Sequence, residues 1–146
     1  MVIGAVAAIA QGYPLTTRDL DVTPSAEPAN LERLAGAITE LDGKLRTAGG
    51  AVPFPVEAAC LGNVQSWTLD TRSGDLDLLF VPAGTRGYDD LKADAVDVDL
   101  GRGLVVSMAS LRDVIRMKEA AGRPKDRAQL PALRQTLEVI RSRERS

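Results

Sequence analysis

The sequence predicts an α+β fold: a small mixed β-sheet flanked by helices, in one domain spanning 1–146. Three observations lead there. Apolar runs bounded by Gly, Pro and Asn, such as 65–71 and 76–81, have the length and composition of strands. Longer stretches, within 31–45 and 111–140, repeat apolar residues at helical spacing. The strand-like runs fall within 1–110, which reads as a sheet-containing core, and 111–146 reads as C-terminal helices.

Taken in order, Met1–Ala10 is apolar with no basic segment before it, so it reads as core strand and helix rather than a leader. A strand ends at Ile3-Gly4, and a short helix runs from Val6 to Gly12. Thr17-Arg18-Asp19-Leu20-Asp21-Val22 is the next strand. Asn30 then suits a helix N-cap, with Leu31, Leu34, Ala35, Ile38, Leu41 and Leu45 behind it, and Gly49-Gly50 ends that helix. Pro53-Phe54-Pro55 is an extended connector. Gln65–Thr71 and Leu76–Val81 are strands joined by the turn Arg72-Ser73-Gly74. Pro82–Gly87 is a loop and Tyr88–Leu91 a short helical turn. Ala95–Leu100 alternates apolar and acidic residues like an edge strand, and Gly101-Arg102-Gly103 turns it into Leu104-Val105-Val106. Ser110 and Asp113 resemble a capping box for a helix to Gly122. Arg123–Asp126 opens another helical segment, Pro131 fits the first turn of a final helix, and the tail from Arg141 frays.

Composition excludes several chemistries. The chain has no histidine, so it has no Ser-His-Asp triad, Cys-His pair or His-ligated zinc. Aromatic residues make up only 3%, which argues against base-stacking platforms for single strands. The single Cys60 cannot form an internal disulfide, fits a reducing cytoplasm and reads as a small apolar residue. No run is long enough to span a bilayer. Trp67 reads as a core aromatic more readily than as a base-stacking one. Charge is uneven, with 8 basic and 15 acidic residues in 1–110 against 10 and 5 in 111–146. That distribution fits an acidic metal-binding half beside a basic half, and equally two solvated helices.

Asp19-Leu20-Asp21 places two carboxylates on one face of a strand. They repel unless a cation neutralises them, and hard divalent ions such as Mg²⁺ prefer oxygen ligands. Solvated acids at a strand end fit the same spacing. Asp75-Leu76-Asp77 repeats the pattern, and a third carboxylate from a neighbouring strand would complete a set able to hold two metals. The series Asp94, Asp97 and Asp99 reads instead as outward charge on an edge strand.

With these residues in order, the chain resembles the minimal nucleotidyltransferases of the DNA polymerase beta-like superfamily, in particular the AbiEii-type, type IV toxin-like proteins. The likeness begins at Ile3-Gly4-Ala5 and Thr17–Asp21. It continues through Asn30–Leu34 and Gly74–Leu79, and ends with Ala109–Ile115 and Lys118–Asp126. It departs from the family at Ala5, where a second Gly or Ser is usual, and at Leu15, where many relatives carry arginine. The chain also opens almost at the signature.

The resemblance implies a polymerase beta-like nucleotidyltransferase fold with a short N-terminal side. It implies transfer of a nucleotidyl group from a nucleoside triphosphate to an acceptor hydroxyl on tRNA, a protein or a small molecule. Asp19, Asp21 and Asp77 would be catalytic and would hold two Mg²⁺ ions. Gly4, Ala5, Lys118 and Arg123 would meet the phosphates, with Asp126 near the nucleotide. A catalytically decayed binding module, acting through a partner such as an antitoxin-like protein, is the alternative. The short opening predicts an uncovered apolar face beside Val6, Ala7 and Ile9, and with it self-association or a coding start upstream of Met1.

Overall fold

The computed structural model describes residues 1–146. One eight-stranded mixed sheet carries six helices. In chain order the elements are β1 (Val2–Ile3), α1 (Gly4–Ala10), β2 (Asp19–Val22), α2 (Pro28–Glu40), β3 (Lys44–Thr47) and β4 (Gly50–Val52). There follow α3 (Ala58–Leu61), β5 (Ser66–Thr71), β6 (Gly74–Leu79), α4 (Tyr88–Lys92), β7 (Val96–Asp99), β8 (Val105–Met108), α5 (Leu111–Ala121) and α6 (Pro124–Glu144). The strand order is β4-β3-β5-β6-β2-β1-β8-β7. Only β2–β6 and β1–β8 pair in parallel.

Alternation along the strands splits the core in two. Leu76 and Leu78 of β6, with Trp67 and Leu69 of β5, face α2 and α3 and pack on Leu31, Ile38 and Leu61. Trp67 is a core aromatic there: its indole N–H donates to the Leu61 carbonyl at 3.1 Å, and its ring stacks on Phe54 at 5.0 Å. Cys60 packs at the margin of the same cluster. The other face bears Ile3 and Leu79, over which α1, α5 and α6 close with Ala7, Ala8, Val114, Met117 and Leu133. These helices cover only part of that face. Thr68 and Asp70 of β5 lie exposed on the same side.

Several expectations need correction. The second helix starts at Pro28, not after Asn30, because proline at the first position is already set for the helix and lacks only an N–H that needs no partner there. It ends at Glu40, where Asp42 takes a left-handed φ of 53° and the Gly43 N–H closes on the Ile38 carbonyl at 2.9 Å. A side chain at Gly43 would press on Ile38. Leu45, in phase with the helix by coincidence, belongs to β3. The glycines read as a helix stop form the two-residue turn Ala48-Gly49 of the β3–β4 hairpin, with Gly50 at φ 112°.

At the C-terminus, α6 is one continuous helix through Pro131, and it runs to Glu144 instead of fraying at Arg141. Leu130, Leu133, Leu137 and Ile140 pack on the α1–α5 cluster, which offsets the hydrogen bond lost at the proline. Ser110 caps α5 as expected, its Oγ accepting the Asp113 N–H at 3.1 Å.

The uncovered face expected beside Ala7 is also absent. Although β1 has two residues, it is paired on both sides, by β2 and β8. Ile3, Ala7 and Ala8 are buried, while Val6 and Ile9 are half-buried. The Gln11 amide ties α1 to α5 by donating to the Ala7 and Ala109 carbonyls and accepting the Leu111 N–H.

Pro131 removes the hydrogen bond that a residue here would donate to the Arg127 carbonyl. Pro131→Ala restores that donor, and the expected outcome is a gain of about 1–3 kcal/mol in urea unfolding. Unchanged or reduced stability would show that the α6 backbone has already adjusted around the ring.

Candidate functional site

A cleft of about 580 Å³ opens where the α1–α5–α6 layer stops and the bare part of the sheet begins. Its floor is the pair β2–β6, whose parallel register sets Asp19 opposite Asp75 and Asp21 opposite Asp77. Paired residues share a face, so all four acids point away from the α2–α3 core, while Leu76 and Leu78 are buried in it. Asp19, Asp21 and Asp77 line the cleft, and Asp75 stands outside it. The edge acids Asp97 and Asp99 are exposed on β7, at the far rim of the sheet.

Gly4 and Ala5 stand beside the acids, in the first turn of α1, where backbone N–H groups lack acceptors within the helix. Gly4 has φ 65°, and a Cβ there would overlap the Asp21 carboxylate. The glycine is therefore required twice, by backbone conformation and by the approach of Asp21. Ala5 leaves a methyl group at the cleft wall, and Leu15 lines the same wall with an apolar side chain where an arginine would bring charge.

The opposite wall comes from the end of α5 and the start of α6. Asp126 is fully buried, accepting from Lys118 Nζ at 3.3 Å and from Arg123 Nε at 2.6 Å. Burial pushes its carboxyl up, but the hydrogen bonds from Arg123 and Lys118 outweigh this and hold it below the usual carboxylate range. Asp126 thus orients two cations rather than facing a ligand alone. Lys118, Arg123 and Lys125 all line the cleft.

Burial, and then the charges of Asp77 and Asp19, raise the Asp21 carboxyl above its ordinary value, against the opposing pull of Lys118 and Lys125. Burial also raises Asp77, although the Arg46 guanidinium lies against it. Arg46 reaches from β3 to Asp77 Oδ1 and to Asp75 Oδ2, the latter at 2.5 Å. Asp19, Asp21 and Asp77 share a face, but no three acidic side chains are grouped closely enough to hold a metal ion. The donor chemistry of Asp19 and Asp21 nonetheless fits a hard cation: two oxygen donors on one face, one of them partly desolvated and repelled by its neighbours.

Among the residues expected from sequence, Asp19, Asp21, Asp77, Gly4, Ala5, Lys118, Arg123 and Asp126 all line this one cleft. Lys125, Gln129, Thr16 and Thr17 line it as well and were not singled out. Lys125 was legible in hindsight, being next to Asp126 at the start of a helix. Arg46 was hidden because its segment reads as the end of a helix.

Because the Asp21 carboxyl is raised in the folded protein, its ionised form costs stability. Folding is favoured most below the unfolded value of 3.8, and the advantage is lost as pH rises through the folded value. Asp21→Asn in chelator should therefore raise Tm by a few degrees at pH 7. The gain should vanish at pH 3, where both proteins carry a neutral group. A lowered Tm at pH 7 in thermal melts would contradict this electrostatic assignment. Asp126→Ala has the opposite sign: it strips Lys118 and Arg123 of their partner and should cost about 1–3 kcal/mol in urea unfolding.

No family model and no curated protein matches the chain.

Proposed function

We propose that the protein is a metal-dependent nucleotidyltransferase of polymerase beta-like fold, moving a nucleotidyl group from a nucleoside triphosphate to an acceptor hydroxyl. One observation carries the proposal. Three carboxylates from two paired strands and three cations from the α5–α6 junction line the same cleft. Acids facing bases across open space suit a polyanion that arrives with its own cations. A divalent ion held by Asp19, Asp21 and Asp77 would neutralise charge on the triphosphate and orient it for in-line displacement.

The chain's own residues do the rest. Lys118 and Arg123, held in place by Asp126, present positive charge to the phosphates without needing to reorganise. Lys125 adds a third charge from the first turn of α6. Gly4 leaves room for the Asp21 carboxylate, and the N–H groups of Gly4 and Ala5, in the first turn of α1, would receive phosphate oxygens. Asp77, raised by burial, would accept the proton of the acceptor hydroxyl while that oxygen bonds to the α-phosphorus, the bond from the α-phosphorus to the bridging oxygen breaks, and pyrophosphate leaves. The acceptor is an RNA, protein or small-molecule hydroxyl. A toxin-like role would bring in an antitoxin-like protein partner.

The second reading, a nucleotide-binding module without turnover, is favoured by one observation: Arg46 already neutralises Asp77. The two are separated by incubating the protein with labelled nucleoside triphosphates, Mg²⁺ and cell RNA or protein. The expected outcome is label transfer that Asp19→Asn reduces at least about a hundredfold while Tm holds or rises. Mg²⁺-dependent nucleotide binding by calorimetry with no transfer would establish the binding module. Full activity in Asp19→Asn would remove Asp19 from the chemistry.

A further inference from the structure

Arg46 is the only cation in contact with the carboxylates of β6, and its position is built rather than incidental. Its strand, β3, is separated from β6 by β5. Extending the β3–β5 register, in which Lys44 pairs with Asp70 and Leu45 with Leu69, sets Arg46 beside Thr68. Thr68 in turn pairs with Asp77. The short threonine side chain lets the guanidinium pass over β5. The two prongs then take different acids, Nη1 on Asp75 and Nη2 on Asp77.

These two acids are not equivalent. Asp77 lines the cleft, whereas Asp75 and Arg46 stand outside it. The fork therefore holds Asp77 from behind, and one of its prongs is anchored on a carboxylate with no other partner. A cation entering the cleft competes with Arg46 for Asp77 alone. When it wins, Arg46 keeps Asp75 and is not left as an unpaired charge. A lysine, with a single ammonium on a flexible stem, cannot hold both acids in this planar way.

We infer that Arg46 is an exchangeable counter-ion that holds Asp77 in the metal-free protein and gives it up to a divalent cation, staying on Asp75. It is a positioning residue that sets the cation affinity of the third carboxylate. This rests on the assignment of Asp19, Asp21 and Asp77 as metal ligands. It goes further in giving the cleft two electrostatic states, one closed by the protein's own cation and one open to an added ion.

The test is Mn²⁺ binding without nucleotide, read from the spectrum of free Mn²⁺ in electron paramagnetic resonance. Wild type, Arg46→Gln, Asp77→Asn and the double variant are compared, with circular dichroism to confirm folding. Arg46→Gln should bind Mn²⁺ about fivefold more tightly than wild type. The gain should disappear in the Asp77→Asn background, because it acts through that carboxylate. Arg46→Lys, which keeps the charge and is less prone to disturb folding, should lie between wild type and Arg46→Gln. Unchanged affinity in Arg46→Gln and Arg46→Lys while wild type binds overturns the exchange and leaves the metal assignment standing. So does a gain that persists with Asp77→Asn, since that reports only a general field. Absence of Mn²⁺ binding in both wild type and Arg46→Gln overturns both.

Discussion

The parallel pairing of β2 with β6 is the constraint on which the remaining structure depends. Its register, Leu20 opposite Leu76 and Val22 opposite Leu78, places the apolar members of both strands on one face. α2 and α3 cover that face at Leu76 and Leu78, the latter fully buried, while Leu20 near the strand end stays exposed. Period-two alternation then leaves Asp19, Asp21, Asp75 and Asp77 no choice but the other face. A slip of one residue would bury acids and expose leucines, so the hydrophobic face protects the acidic one from misregister. Grouping four carboxylates is thus a by-product of burying leucines. What the chain must supply separately is the charge to tolerate them.

That charge comes in two forms. Lys118 and Arg123 are fixed by a fully buried carboxylate, Asp126, whose own ionisation they maintain. Burying an acid is costly unless it is paired and hydrogen-bonded, and a triad of one acid with two bases leaves net positive charge directed at the cleft. Arg46 works from the opposite side and is shared between two half-exposed acids. The uneven distribution of charge along the sequence becomes spatial here, because the basic C-terminal helices bring their first turns to the acidic strands. Much of the remaining basic charge, along the outer side of α6, is solvated, with Arg134 paired to Glu119 at 2.6 Å. The basic half is thus divided between Lys118, Arg123 and Lys125, which line the cleft, and residues that face solvent.

Legibility followed locality. Asp19 and Asp21 could be placed on one face from spacing and alternation alone, since strand period is a local property, whereas Asp77 joins them only through the β2–β6 register and was expected from the resemblance. The Ser110 cap and the β5–β6 turn at Arg72-Ser73-Gly74 were legible for the same reason. Leu45 failed because helical and strand patterns overlap for a single apolar residue. Two consecutive glycines stop a helix as readily as they turn a hairpin, so β3, β4 and Arg46 were lost together. Pro131 failed for a different reason: packing of Leu130, Leu133 and Leu137 outweighs one missing hydrogen bond, and that packing is invisible until the fold is known. The pairing of β1 on both sides, which covers Ala7, likewise depends on strands distant in sequence.

Gly4 connects these levels. Its φ of 65° favours glycine, and only a residue without a side chain admits the Asp21 carboxylate at this point. The turn from β1 into α1 therefore sets how deeply Asp21 sits, and depth sets how strongly burial raises its carboxyl. An acid placed further out would be solvated and would have little reason to hold a cation. An acid fully buried without a cationic partner would protonate instead of ionising. Asp21 stands between these limits, with Asp19 and Asp77 adding repulsion and Lys118 and Lys125 relieving it. An entering divalent cation would meet a carboxylate that gains from being neutralised, at a position fixed by a backbone turn rather than by a flexible side chain.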